Sequence, residues 1–220
     1  MIQLIESYTW QQAAARSKLD KLQAEINTVC FSIEGVPEDV FELSRYAAIE
    51  GMKVFAERLE DDWNRRKEEI LQKYPKFDFD KHFKIEIYDQ EPTGKRVSLE
   101  EFVGFNYEKD CVNVHDYTKF PLAYALLEPP YGINIPITAG HGSKEYFSVK
   151  TQEYTAIYRM FLNDFVLLTH YQKEDFIIYS WSDDWSNFFD AGKEWWGTYY
   201  WTVYNKKSNT IMVMGASATD

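Results

Sequence analysis

Two periods of apolar and polar positions run along this chain, and the period changes near residue 75. From Tyr8 the apolar or neutral positions are Tyr8, Gln12, Ala15, Leu19, Leu22 and Ile26, spaced four and three apart as on one stripe of a packed helix. Few breakers interrupt before Gly35, which suits a helix C-cap, and Pro37, which suits the first turn of the next helix. A second stripe, Phe41, Arg45, Ala48, Met52, Phe55 and Leu59, predicts a helix from about Pro37 to Lys73, closed by Lys73-Tyr74-Pro75. Two matched stripes joined by a short break predict an antiparallel helical hairpin over residues 1–75, packed on the body of the same chain. Arg45 interrupts the second stripe and calls for a carboxylate partner or a snorkelling stem. Gly51 costs its helix about 1 kcal/mol against alanine, so a close helix contact is expected there. The charged run from Glu57 to Glu69 reads as a solvated face with pairs such as Asp62–Arg66.

Beyond residue 76 the period shortens. Residues 83–88 alternate, with Phe83, Ile85 and Ile87 against Lys84, Glu86 and Tyr88, and predict a half-buried strand. Ser98 and Glu101 form a capping-box pattern that opens a short helix. Ile133, Ile135 and Ile137 predict an edge strand tolerant of Pro136. Tyr154, Ile157 or Tyr158, Phe161, Phe165 and Leu168 predict a helix over 151–169, buried on more than one side. Phe176 to Trp181 reads as a strand. Ser182 or Asp183 could cap a short helix over 184–191 that Gly192 ends. Residues 194–204 are aromatic on both faces and predict a central strand, turning at 205–209 into a partner strand from Thr210. The fold class is therefore α+β: the hairpin, then a mostly antiparallel sheet with one packed helix over 76–220.

Composition narrows the function. Hydrophobic residues make up 45% and charged residues 27%, which suits a globular chain. The net charge of −11, with no basic stripe, argues against nucleic-acid binding. No apolar run approaches the ~20 residues of a membrane span. The N-terminus MIQLIESYTWQQ does not read as a signal peptide. Cys30 and Cys111 make no disulfide framework, so buried thiols in a cytoplasmic protein are expected.

Motifs for chemistry are sparse. Gly94-Lys95 lacks the spacing of a phosphate loop. His82, His115 and Asp116 mimic the order of a histidine–aspartate phosphohydrolase, but valines flank the pair in a strand-like segment. His141 sits in a Gly-His-Gly-Ser loop with no metal-ligand spacing, so neither a metal nor a cofactor is expected. The densest feature is the aromatic, acidic stretch holding Trp181, Asp183, Asp184, Trp185, Asp190, Glu194, Trp195 and Trp196.

These residues support a non-catalytic intracellular binding protein, engaging a protein partner through an acidic-aromatic surface, comparable by type alone to the immunity proteins that neutralise toxins. An alternative is a carboxylate-based hydrolase acting on a glycan, with Asp183 or Asp184 and Glu194 as acid and base and His141 as a further candidate. A third is a structural module that forms a homodimer through the helical arm.

Overall fold

The computed structural model describes residues 1–5, 9–79, 83–104, 112, 120–166 and 171–218. Six strands form one open antiparallel sheet in the order β1-β2-β6-β5-β4-β3: β1 Ile2–Leu4, β2 Asn27–Ile33, β3 Gly94–Val97, β4 Phe176–Trp181, β5 Thr198–Asn205 and β6 Thr210–Ser217. Among the described residues the helices are α1 Trp10–Lys21, α2 Val40–Arg65, α3 Lys67–Lys73, α4 Leu99–Val103, α5 Pro121–Leu127, α6 Lys144–Met160 and α7 Asp190–Lys193.

The first seam is as expected up to its end, since Gln12, Ala15 and Leu19 are buried on α1. The hairpin is not. Gln23 takes the left-handed conformation at φ 58°, the Ala24 N–H reaches the Leu19 carbonyl and the Gln23 N–H reaches that of Asp20. This Schellman ending stops α1 twelve residues before Gly35, without a glycine. The freed segment NTVCFSI alternates and becomes β2, pairing with β6 from Asn27–Gly215 to Ser32–Thr210. The two long N-terminal helices then pack on opposite faces of the sheet rather than on each other.

One face carries α1, α5 and α6 over Trp201, Val203, Met212 and Met214, with Leu126, Tyr158 and Phe161 at its centre. The other carries α2 over Val29, Phe31, Tyr200 and Val213, with Met52, Phe55, Trp185 and Phe189. β5 thus has cover on both sides, as its two aromatic faces require. The Tyr200 ring meets Trp185, Phe189 and Phe55 edge-on at 5.4, 5.6 and 5.9 Å, each contact contributing about 0.5–1.5 kcal/mol beyond area burial. Its hydroxyl donates to the Ala48 carbonyl at 2.8 Å, tying β5 to α2.

Other elements shift for local reasons. Residues 83–88 alternate in burial but make one bridge, Ile87 to Ser186, so they are an extended strap and not a sheet strand. Residues 133–137 are likewise extended without a ladder, and the Asn134 N–H donates to the Leu22 carbonyl. The capping box of Ser98 and Glu101 opens α4. Ser143 caps α6 seven residues before the expected start, and α6 passes into a π turn over Phe161–Phe165. Ser186, not Ser182 or Asp183, caps the turn at Asn187–Phe189 that leads into α7. Gly197, at φ +113°, donates to the Gly192 carbonyl and delays β5 to Thr198. Cys111, His82 and the His115-Asp116 pair lie outside the described residues, as do Tyr8 and Leu168 of the two expected helical seams.

A candidate acidic-aromatic face

The stretch after β4 folds its rings inward. Trp181, Trp185 and Trp196 are buried at 6%, 0% and 4% exposure, whereas Trp195 stands out at 55%. Each buried indole has an acceptor: Trp181 donates to the Thr202 hydroxyl at 3.0 Å, Trp185 to the Ser182 carbonyl at 2.7 Å, and Trp196 to the Glu128 carbonyl. An amphipathic ring buried with its N–H satisfied is a core residue. The expectation that these three indoles form a contact surface is therefore corrected: Trp195 alone of the four presents its ring.

The carboxylates do reach the surface. Asp184, Asp190 and Glu194 are exposed and Asp183 is half-buried. Asp183 accepts from the Thr198 hydroxyl at 2.7 Å, at the first residue of β5. Asp184 accepts from the Gln90 amide at 2.7 Å. Its carboxyl is held below the usual range, chiefly by the Ser182 hydroxyl, with the Gln90 amide and the charge of Lys193 adding to it. Asp190 lies 3.6 Å from the Lys193 ammonium within α7. His141 is exposed in the loop before α6, its ring 4.7 Å from that of Tyr146, and it joins none of these carboxylates.

The strap at 83–91 supplies what the sequence reading missed. The Ile87–Ser186 bridge is locked by Tyr88 N–H to the Trp185 carbonyl at 2.9 Å, Glu86 N–H to the Asn187 side chain at 2.8 Å, and the Asn187 amide to the Lys84 carbonyl at 2.9 Å. Ile85 and Ile87 face the core, so Glu86 and Tyr88 face water beside Asp190. Tyr88 is 44% exposed, and its hydroxyl titrates above the usual value, through local desolvation and then the negative charges of Asp190 and Glu86. Glu91 continues the row, where Arg45 of α2 binds both it and Glu42. The seam's one polar interruption is thus the cation that fastens α2 to this edge. The signal for Tyr88 was present: a ring on the polar side of a clean alternation.

The face presents acceptors and rings on a framework of strap, sheet end and short helix. Of the carboxylates expected as acid and base, Asp183 is engaged by Thr198 and Asp184 by Gln90, while Glu194 lies exposed beyond α7. Among the described residues no group of three or more His, Cys, Asp and Glu side chains could hold a metal ion, and no helix is long and apolar enough to cross a membrane. In comparisons with known proteins, no family model matches this chain, and no curated protein or solved structure matches it.

Proposed function

We propose that the protein is a non-catalytic binding protein that engages a basic protein partner through this acidic-aromatic face. The observation that carries the reading is Tyr88: a half-exposed ring on the outer side of the strap, its hydroxyl's pKa raised by local desolvation and then by the charges of Asp190 and Glu86. Rigid rings anchor an interface at little entropic cost, and carboxylates around them favour cationic partners and speed encounter. Binding is favoured over hydrolysis because Asp183 and Asp184 are each held by a separate neutral partner, the Thr198 hydroxyl and the Gln90 amide. A dimerising arm loses its support with the hairpin, since α1 and α2 cover opposite faces of the sheet.

The test compares the wild type with Glu86→Lys/Asp190→Lys as bait in an extract of the native host. The expected result is one stoichiometric basic protein, released as salt rises from about 0.1 to 0.5 M and lost from the double variant. Absence of a stoichiometric partner, or capture that survives both charge reversals, overturns the proposal.

A further inference from the structure

A second locus lies at the other end of β5, on the sheet face away from α2. There α1, the π turn and the sheet line a pocket of about 270 Å3 that opens to solvent at Thr9 and Ser208. Phe165, Phe176, Val203 and Met212 form its apolar walls, while Cys30, Asn205, Ser208 and Thr210 form a polar corner.

The polar corner has one donor group to spare. The Asn205 carbonyl oxygen is taken twice, by the Lys207 and Ser208 N–H groups at 3.0 and 3.2 Å, and its amide nitrogen donates to no described group. Ser208 and Thr210 are paired through hydroxyls 2.7 Å apart, and Thr210 also bonds the Cys30 thiol, so these two groups brace the corner. Gln12 is engaged at both ends: its amide donates to the Phe165 carbonyl at 3.1 Å and its oxygen accepts from the Thr9 N–H at 3.1 Å. None of the described lining residues carries a charge. An ionised ligand would give up part of its hydration there with no counter-charge in return, which favours a neutral occupant. The wall at Phe165 and Val166 closes the π turn, where the Val166 N–H reaches back five residues to the Phe161 carbonyl. Such turns recur where a helix is widened to shape a site.

We propose that this cavity binds a small uncharged amphiphile: an aromatic or branched aliphatic body carrying one hydrogen-bond acceptor such as a hydroxyl, ketone or amide. The body fills the space between Phe165, Phe176 and Met212, and the acceptor takes the amide hydrogens of Asn205. Burial pushes the Cys30 thiol up to about 11, so it stays protonated and is a wall of the site rather than a nucleophile.

The experiment is a titration of the full chain, with methyl-labelled methionine, against 4-methylbenzyl alcohol, 4-methylbenzoate and p-xylene. A saturable shift of the Met212 methyl is expected with the alcohol, with Met52 on the opposite sheet face unmoved. The benzoate should bind at least about tenfold more weakly. Cys30→Phe, which fills the space, should abolish the shift. Asn205→Asp, which keeps an acceptor for the Lys207 and Ser208 N–H groups and removes the amide donor, should weaken the alcohol about fivefold more than it weakens p-xylene. The Met52 signal and the melting temperature report whether each variant is folded. No saturable Met212 shift with any probe, equal affinity for the benzoate, or an undiminished shift in folded Cys30→Phe overturns the proposal.

Discussion

Replacing Gly51 with alanine sets two forces of similar size against each other, and the structure decides which wins. On an exposed helix the change would stabilise the chain by about 1 kcal/mol through propensity. Here a methyl would stand 2.7 Å from Val213 Cγ1 and 2.9 Å from both Cβ and Cγ2, where ordinary contact is 3.4–4 Å. The helix cannot lift locally, because the Tyr200 hydroxyl binds the Ala48 carbonyl one turn before and Arg58 binds the Thr28 carbonyl two turns after, at 3.1 Å. Val213 is itself fully buried in mid-strand on β6. Overpacking of this kind costs about 1–3 kcal/mol. The expected net effect of Gly51→Ala is a loss of about 1 kcal/mol, seen as a fall of about 2–4 °C in melting temperature and a lower urea midpoint at constant slope. Val213→Ala in the same background should restore at least about 1 kcal/mol of coupling in a double-mutant cycle. A stabilised Gly51→Ala, or strict additivity with Val213→Ala, would refute the packing of α2 on this sheet face.

Three further expectations test other joints of the structure. Tyr200→Phe removes the buried bond to Ala48 and leaves that carbonyl unpaired, so unfolding free energy should drop by about 1–3 kcal/mol, measured by urea titration. Burial works against the Asp175 charge, but the Gln172 N–H and Lys207 ammonium outweigh it and hold its carboxyl below the ordinary 3.8. Stability from Asp175 is therefore complete above 3.8 and lost as pH falls through the lowered folded value, so melting profiles of wild type and Asp175→Asn should converge in acid and separate toward neutral pH. Oxidation of the native chain with a tryptophan-selective reagent should consume Trp10 and Trp195, which are exposed, and spare Trp181, Trp185 and Trp196; peptide mapping reads this directly.

The sequence carried burial better than it carried partners. Ala15, Leu19, Ala48, Met52, Phe55, Tyr154, Ile157 and Phe161 all lie in the core positions their spacing demanded, because periodicity is a statement about faces. It is silent on what covers a face. Gly51 announced a close approach, yet the neighbour is a strand and not a helix. The end of α1 was hidden because Gln23 adopts the conformation usually given to glycine, so the stop carried no compositional mark. Once that stop was missed, the alternation in NTVCFSI was absorbed into a helix, and with it the strand that places α1 and α2 on different sides. The candidate site was half legible. The carboxylates of 183–194 do lie outward, but their own tryptophans do not. The ring that accompanies them, Tyr88, comes from a strap about a hundred residues earlier through a single bridge, a pairing that no local pattern encodes.

The claim on which the functional account turns is that Tyr88 stands in a field of surface acids gathered from two distant segments. Following the ring carbon of Tyr88 by nuclear magnetic resonance through alkaline pH measures that field. The account predicts a midpoint above the ordinary 10.0 that falls toward it in Asp190→Asn and further in Glu86→Gln/Asp190→Asn, and that relaxes in high salt. A midpoint at the ordinary value, unmoved by either substitution or by salt, would contradict it.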